Sequence, residues 1–193
     1  MSHRKLRYVI VPACALLLSC SESTDDGSPG DRVDQLERRL ELRQHEALLA
    51  RMTAPDSTLV AFTTDGCSGG LSVGWQYLTE HIDILQEKHG IRPPWEACCV
   101  AHDRRYHEGA TIGATAAESF VARKQADLAL QACVLATGKN RAAELSVEYG
   151  VTPESVNTLY TAIAELMYGA VRAGGMPCSG LPWRWGYGWP ACG

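Results

Sequence analysis

The sequence predicts an all-α fold stapled by disulfides. Apolar residues recur at three- and four-residue spacing, helix-start and helix-stop residues bracket those stretches, and strand signals are few. Cysteines at 67, 98, 99, 133, 178 and 192 supply the staples, because an even set of six in an exported chain reads as three disulfides. Spacing alone leaves their connectivity open. At 193 residues the chain suits one domain with appendages, long enough to bury a real core.

Export is read from the first residues. "MSHRKLRYVIVPACALLLSC" places Arg4, Lys5 and Arg7 ahead of an apolar run over 8–18, then Ser19 before Cys20. The run is too short for a stable bilayer span and has the shape of a secretory signal covering 1–19. "LLSC" resembles the bacterial lipobox, which makes Cys20 the expected lipid-bearing first residue of the mature chain; an ordinary signal with a chance cysteine is the plainer reading. Ser21 after that cysteine favours an outer-membrane address in a cell that has one. Cleavage removes three of 18 basic residues and none of 22 acidic ones, leaving 15 against 22, a net charge of −7. Such a balance argues against nucleic acid as a partner and against a purely electrostatic grip on anionic lipid.

The elements follow in order. Residues 20–31 are polar with Gly and Pro, a disordered tether. Over 32–56, Val33, Leu36, Leu40, Ala47 and Leu48 fall at helical spacing, an amphipathic helix that packs on the domain or on a second copy, with His45 expected at its surface. The domain proper is expected over 57–193. "STLVAFTTDGCSGG" (57–70) runs from β-branched residues into a Gly-rich turn, and 79–94 reads as a short helix closed by Gly90 and Pro93-Pro94. A helix then starts near Trp95, "GATIGATAAE" connects, and 116–138 forms a long helix closed by Gly138. The last helix has Thr152 as N-cap, Pro153 in its first turn and Gly174-Gly175 as terminators.

The densest chemistry lies in "CCVAHDRRYH" (98–107). On a helix, Cys98, His102 and Tyr106 share one stripe, while Cys99 and Asp103 share the next, turned by about 100°. If Cys98 were bridged to Cys133 of an antiparallel helix, His102 would stand ~6 Å above the bridge, Asp127 ~9 Å and Tyr106 ~12 Å. Asp127 would then lie between the imidazole and the phenol, able to accept from both. A buried carboxylate that fixes a histidine's tautomer is what a general base requires.

These residues carry a resemblance. "CCVAHDRRY" resembles the secreted phospholipase A2 signature C-C-x-x-H-D-x-C-Y, "DLALQAC" is similar to that family's Asp followed six residues later by Cys, and "DGCSGG" looks like its calcium loop. The likeness is nearest to the atypical and bacterial branches and covers roughly 62–137. It implies a disulfide-linked antiparallel helix pair with a calcium loop and extra helices. It also implies calcium-dependent hydrolysis of the sn-2 ester of glycerophospholipids in a membrane or vesicle. By the same resemblance His102 is the general base, Asp127 its orienting carboxylate and Tyr106 the phenol holding Asp127. Asp103 is the calcium-binding carboxylate, joined by Asp65 and the backbone carbonyls of Gly66, Ser68 and Gly70. The family's bridges imply Cys98 with Cys133 and Cys67 with Cys99, which leaves Cys178 and Cys192 to close a C-terminal loop. The family has a further bridge whose two positions are Arg105 and Ala126 here, a paired loss that strands no thiol.

Other chemistries stay open at this stage. His81 or His89 with His102, Asp103 and Asp127 would suit a metal-dependent phosphohydrolase, although flanking cysteines in an exported chain speak against it. A nucleophilic cysteine is disfavoured because exported thiols are oxidised. A phospholipase-like binding module without turnover is the third alternative, and His107, His81 and His89 are expected as surface histidines. Trp183, Trp185, Tyr187 and Trp189 in the C-terminal segment would suit either a membrane interface or a cover for the domain's own core.

Overall fold

A computed structural model describes residues 29–64, 66–67 and 92–192. The expected signal segment, Cys20, most of the tether and the helix expected over 79–94, apart from 92–94, lie outside the described residues, as do His81 and His89. Four helices, and no strand, are found among the described residues: α1 (Pro29–Met52), α2 (Glu96–Glu108), α3 (Ala116–Tyr149) and α4 (Pro153–Gly174). None of them is long and apolar enough to cross a membrane.

Local chemistry sets most boundaries. Helix α1 stops four residues short of the expected 56, since Pro55 has no N–H to donate and disfavours helical geometry at Ala54. Helix α3 opens with a capping box in which the Thr115 hydroxyl accepts from the Glu118 N–H and the Glu118 carboxylate accepts from the Thr115 N–H. Helix α4 has Thr152 as N-cap, accepting from the Ser155 N–H, with Pro153 in its first turn.

Gly138 does not end a helix. Helix α3 runs through it to Tyr149 and closes at Gly150, which takes the left-handed conformation at φ 65°. A Cβ on Gly138 would meet the Tyr160 Cβ and Cγ of α4 at 2.4 Å, so this glycine permits close helix packing. It thus serves a long-range contact that local sequence does not reveal.

Helices α2, α3 and α4 enclose the main core, including Cys98, Cys99, Leu130, Val134, Leu145, Tyr160, Ile163 and Met167. A second apolar cluster joins Leu48 and Met52 of α1 to Tyr106, Ala126, Trp185 and Trp189. Among the described residues three disulfides close: Cys67–Cys99, Cys98–Cys133 and Cys178–Cys192. The second links α2 to α3, which run antiparallel because His102 and Tyr106, above Cys98, meet Asp127, before Cys133.

The aromatic C-terminal segment folds inward. The backbone N–H groups of Gly186 and Gly188 donate to the carbonyls of Tyr106 and His107, and the Trp189 indole donates to the carbonyl of Glu108. Three carbonyls that the end of α2 would otherwise leave unpaired are thereby satisfied. Trp185 is buried with its ring edge-on to Tyr106, and Trp189 is buried as well. For these two tryptophans the membrane-facing alternative gives way to the core. His107, expected at the surface, is only 3% exposed because the same segment covers it.

Candidate active site

Helix periodicity brings His102 and Tyr106 to one face of α2, and the antiparallel register sets Asp127 of α3 between them. His102 Nε2 lies 3.0 Å from Asp127 Oδ1, and the Tyr106 hydroxyl donates to that same oxygen at 2.7 Å. Asp127 is fully buried and the His102 side chain is 4% exposed. An ionised carboxylate only accepts, so Nε2 carries the proton and the Nδ1 lone pair is left available. Nδ1 turns toward Asp103, whose Oδ1 is 4.0 Å away.

Burial opposes charge on His102, but the flanking carboxylates of Asp103 and Asp127 outweigh it and hold its pKa above the ordinary value. Burial, aided by the Asp127 charge and opposed by Arg123, pushes the Tyr106 hydroxyl well up. Tyr106 therefore stays protonated and remains a donor to Asp127.

Asp103 occupies the adjacent stripe of α2, one turn beyond Cys99, and its side chain is 24% exposed. Thr64 donates to Asp103 Oδ2 at 2.6 Å and accepts from the Gly66 N–H at 3.0 Å. Gly66 has φ 73°, and Cys67 beside it is bonded to Cys99. The start of the Gly-rich loop is therefore held next to Asp103 by a covalent bond and a hydrogen-bond relay. The Asp103 carboxylate there is a hard oxygen donor, the type calcium takes. Asp65, Ser68 and Gly70 lie outside the described residues. Among the described residues no group of three or more His, Cys, Asp or Glu side chains forms a metal cluster.

A cleft of about 270 Å³ runs along the α2–α3 seam, with His102 in its wall beside Ala101, Ala129 and Leu130. Arg105 and Ala126 both line it.

Sequence reasoning missed the layer behind this site. Asp127 Oδ2 accepts from Arg172 Nη1 of α4 at 2.9 Å, and Arg172 Nη2 donates to Glu41 Oε2 of α1 at 2.8 Å. Fully buried Arg123 donates through Nε to the Tyr106 hydroxyl, through Nη1 to Glu41 Oε1, and through Nη2 to the carbonyls of Val171 and Arg172. His45 is fully buried, contrary to expectation, between Glu41 at 3.3 Å and Ser119 at 2.6 Å; the Trp185 indole also reaches Ser119. Leu36 and Leu40, assigned to the apolar stripe of α1, are more than half exposed. The buried face of α1 is instead Glu41, His45, Leu48 and Met52, itself at helical spacing. That spacing was visible, but nothing local showed that a carboxylate there would meet two arginines.

Two carboxylates, Asp127 and Glu41, face two guanidiniums, Arg123 and Arg172, so the buried cluster is charge-balanced, as buried ionic groups must be. Burial works against ionised Glu41, but the His45 bond and the charges of Arg123 and Arg172 bring its pKa below the ordinary range. No family model, curated protein or solved structure matches the chain.

Proposed function

We propose that this chain is a phospholipase A2-type hydrolase that cleaves the sn-2 ester of glycerophospholipids with calcium. The observation that supports this most is the His102 Nε2–Asp127 Oδ1 contact at 3.0 Å, which leaves Nδ1 toward Asp103. Nδ1 removes a proton from water as the oxygen attacks the ester carbonyl. The tetrahedral intermediate collapses when His102 returns that proton to the leaving alcohol, giving a fatty acid and a lysophospholipid. Asp127 keeps the proton on Nε2 and stabilises the imidazolium formed in between, and Tyr106 holds Asp127 in place. Asp103, with Asp65 and the carbonyls of Gly66, Ser68 and Gly70, would hold calcium, which when bound would supply positive charge for the substrate phosphate and the oxyanion. The cleft beside His102 offers an acyl chain an apolar wall. The segment 1–19, Cys20 and the tether over 20–31 fit an exported, lipid-anchored envelope protein that meets its substrate at a membrane.

The test is release of fatty acid from phospholipid vesicles, with calcium and with a chelator, for the wild type and His102→Gln. The expected result is calcium-dependent release that falls by about 10²- to 10⁴-fold in the variant, the range for loss of a general base. Equal release by the variant rejects the mechanism. Vesicle binding without release by the wild type would leave a lipid-binding module in its place.

A further inference from the structure

Glu41 reaches Asp127 along two separate arms, each through an arginine. Through Oε2 it holds Arg172, which grips Asp127 Oδ2. Through Oε1 it holds Arg123, whose Nε donates to Tyr106, and Tyr106 donates to Asp127 Oδ1. Asp127 thus has one oxygen shared by His102 and Tyr106 and the other committed to Arg172. Arg172 is 20% exposed at its side chain, and without Glu41 one side of its guanidinium would have no carboxylate to oppose its pull on Asp127.

We propose that Glu41 of α1 is a positioning residue for the His102–Asp127 pair, setting the Asp127 carboxylate through Arg172 and Arg123. This rests on the hydrolase reading for its kinetic consequence. Helix α1 is then a working part of the active site as well as the link toward the chain's N-terminal segment. Replacing Glu41 by Gln keeps its shape but leaves two guanidiniums facing one carboxylate. Asp127 is drawn toward Arg172, and its bond to His102 Nε2 lengthens. The alternative is that the cluster merely fastens α1 to the domain, in which case loss of Glu41 would cost stability without acting through Asp127.

A double-mutant cycle on kcat separates the two. Glu41→Gln is expected to lower kcat about ten- to a hundredfold, as misplacement of a catalytic group does, with KM changing much less. In the Asp127→Asn background the same change should add nothing, because its route is already cut. Losses that multiply, or an unchanged kcat, overturn the proposal. Should Glu41→Gln fail to fold, Arg172→Lys, which keeps the charge and loses the fork, is expected to show the same non-additivity. A second readout needs no turnover. The carboxylate-bound Nε2 proton of His102 should give a protected downfield proton resonance in the wild type that Glu41→Gln loses while near-ultraviolet dichroism stays native. A wild type without esterase activity would sink the hydrolase reading, whereas a resonance that persists unchanged in the variant would sink this one.

Discussion

Glycine in a helix interior is normally a weak point, and replacing it by alanine gains roughly 0.5–1 kcal/mol. At Gly138 the sign should reverse. An added Cβ would stand 2.4 Å from two carbons of Tyr160, and ordinary carbon contact begins near 3.5 Å, so α3 and α4 must part by about 1 Å. Tyr160 is buried at 1% exposure, with its ring edge-on to Trp95, and cannot swing aside. Overpacking of this kind costs about 1–3 kcal/mol. After the propensity gain the net for Gly138→Ala is a loss of up to about 2.5 kcal/mol, centred near 1 kcal/mol, or a melting temperature lower by about 2–4 °C at that centre. Gly169 in α4 is the control, since a Cβ there meets nothing within 4 Å. Gly169→Ala should gain about 0.5–1 kcal/mol. Urea unfolding of both variants followed by circular dichroism checks the pair. A Gly138→Ala protein as stable as Gly169→Ala would refute the close-packing argument. The consequence reaches the site, because the same α3–α4 seam sets Arg172 against Asp127.

Removing the Cys98–Cys133 bridge by a double change to alanine frees a loop of 35 residues and should cost about 4 kcal/mol by loop-closure entropy. Activity should fall further than the folded fraction does, because the register between His102 and Asp127 loosens; activity that only tracks the folded fraction would contradict this. Trp185→Ala should cost about 3–5 kcal/mol, read by chemical denaturation, since Trp185 is 1% exposed under Tyr106; a loss below about 1 kcal/mol would return the C-terminal segment to the surface reading. Stability should also fall with acid. Burial holds the His45 pKa down despite the Glu41 bond, so the unfolded chain takes up a proton near 6.5 that the folded one refuses, and His45's contribution fades as pH drops below that value. The Glu41 pKa is depressed, so its contribution is present above 4.5 and is lost as pH falls through the lower folded value. His102, whose pKa is raised, acts in the opposite sense: its contribution is present below 6.5 and is lost as pH rises through the folded value. The urea midpoint between pH 7 and 4 is therefore best followed in the His102→Gln variant, where a flat profile would contradict the buried cluster.

Much of the helical framework was legible because it is written in short-range signals. Pro93-Pro94 ahead of α2 and Thr152-Pro153 at α4 each act over three or four residues, whereas the Thr115–Glu118 cap of α3 was not read from the sequence. The stripe of Cys98, His102 and Tyr106 likewise needs only the helix repeat. Gly138 misled because the same residue serves termination and close packing, and only the approach of Tyr160 from another helix chooses between them. His107 and the C-terminal tryptophans were ambiguous for a similar reason. An amphipathic ring suits a lipid interface and a covered core equally well until the backbone path is known.

The helical class, the periodic faces and the candidate chemistry of "CCVAHDRRYH" can be read along the chain, since each depends on neighbours within one or two helical turns. That α1 buries a carboxylate and a histidine and leaves Leu36 and Leu40 outside follows from the folded arrangement. The partners that make such burial tolerable, Arg123 and Arg172, lie 82 and 131 residues away from Glu41 along the chain. Charge on a helix face looks like a solvated surface until its counter-charge is brought to it, and that meeting is a property of the fold.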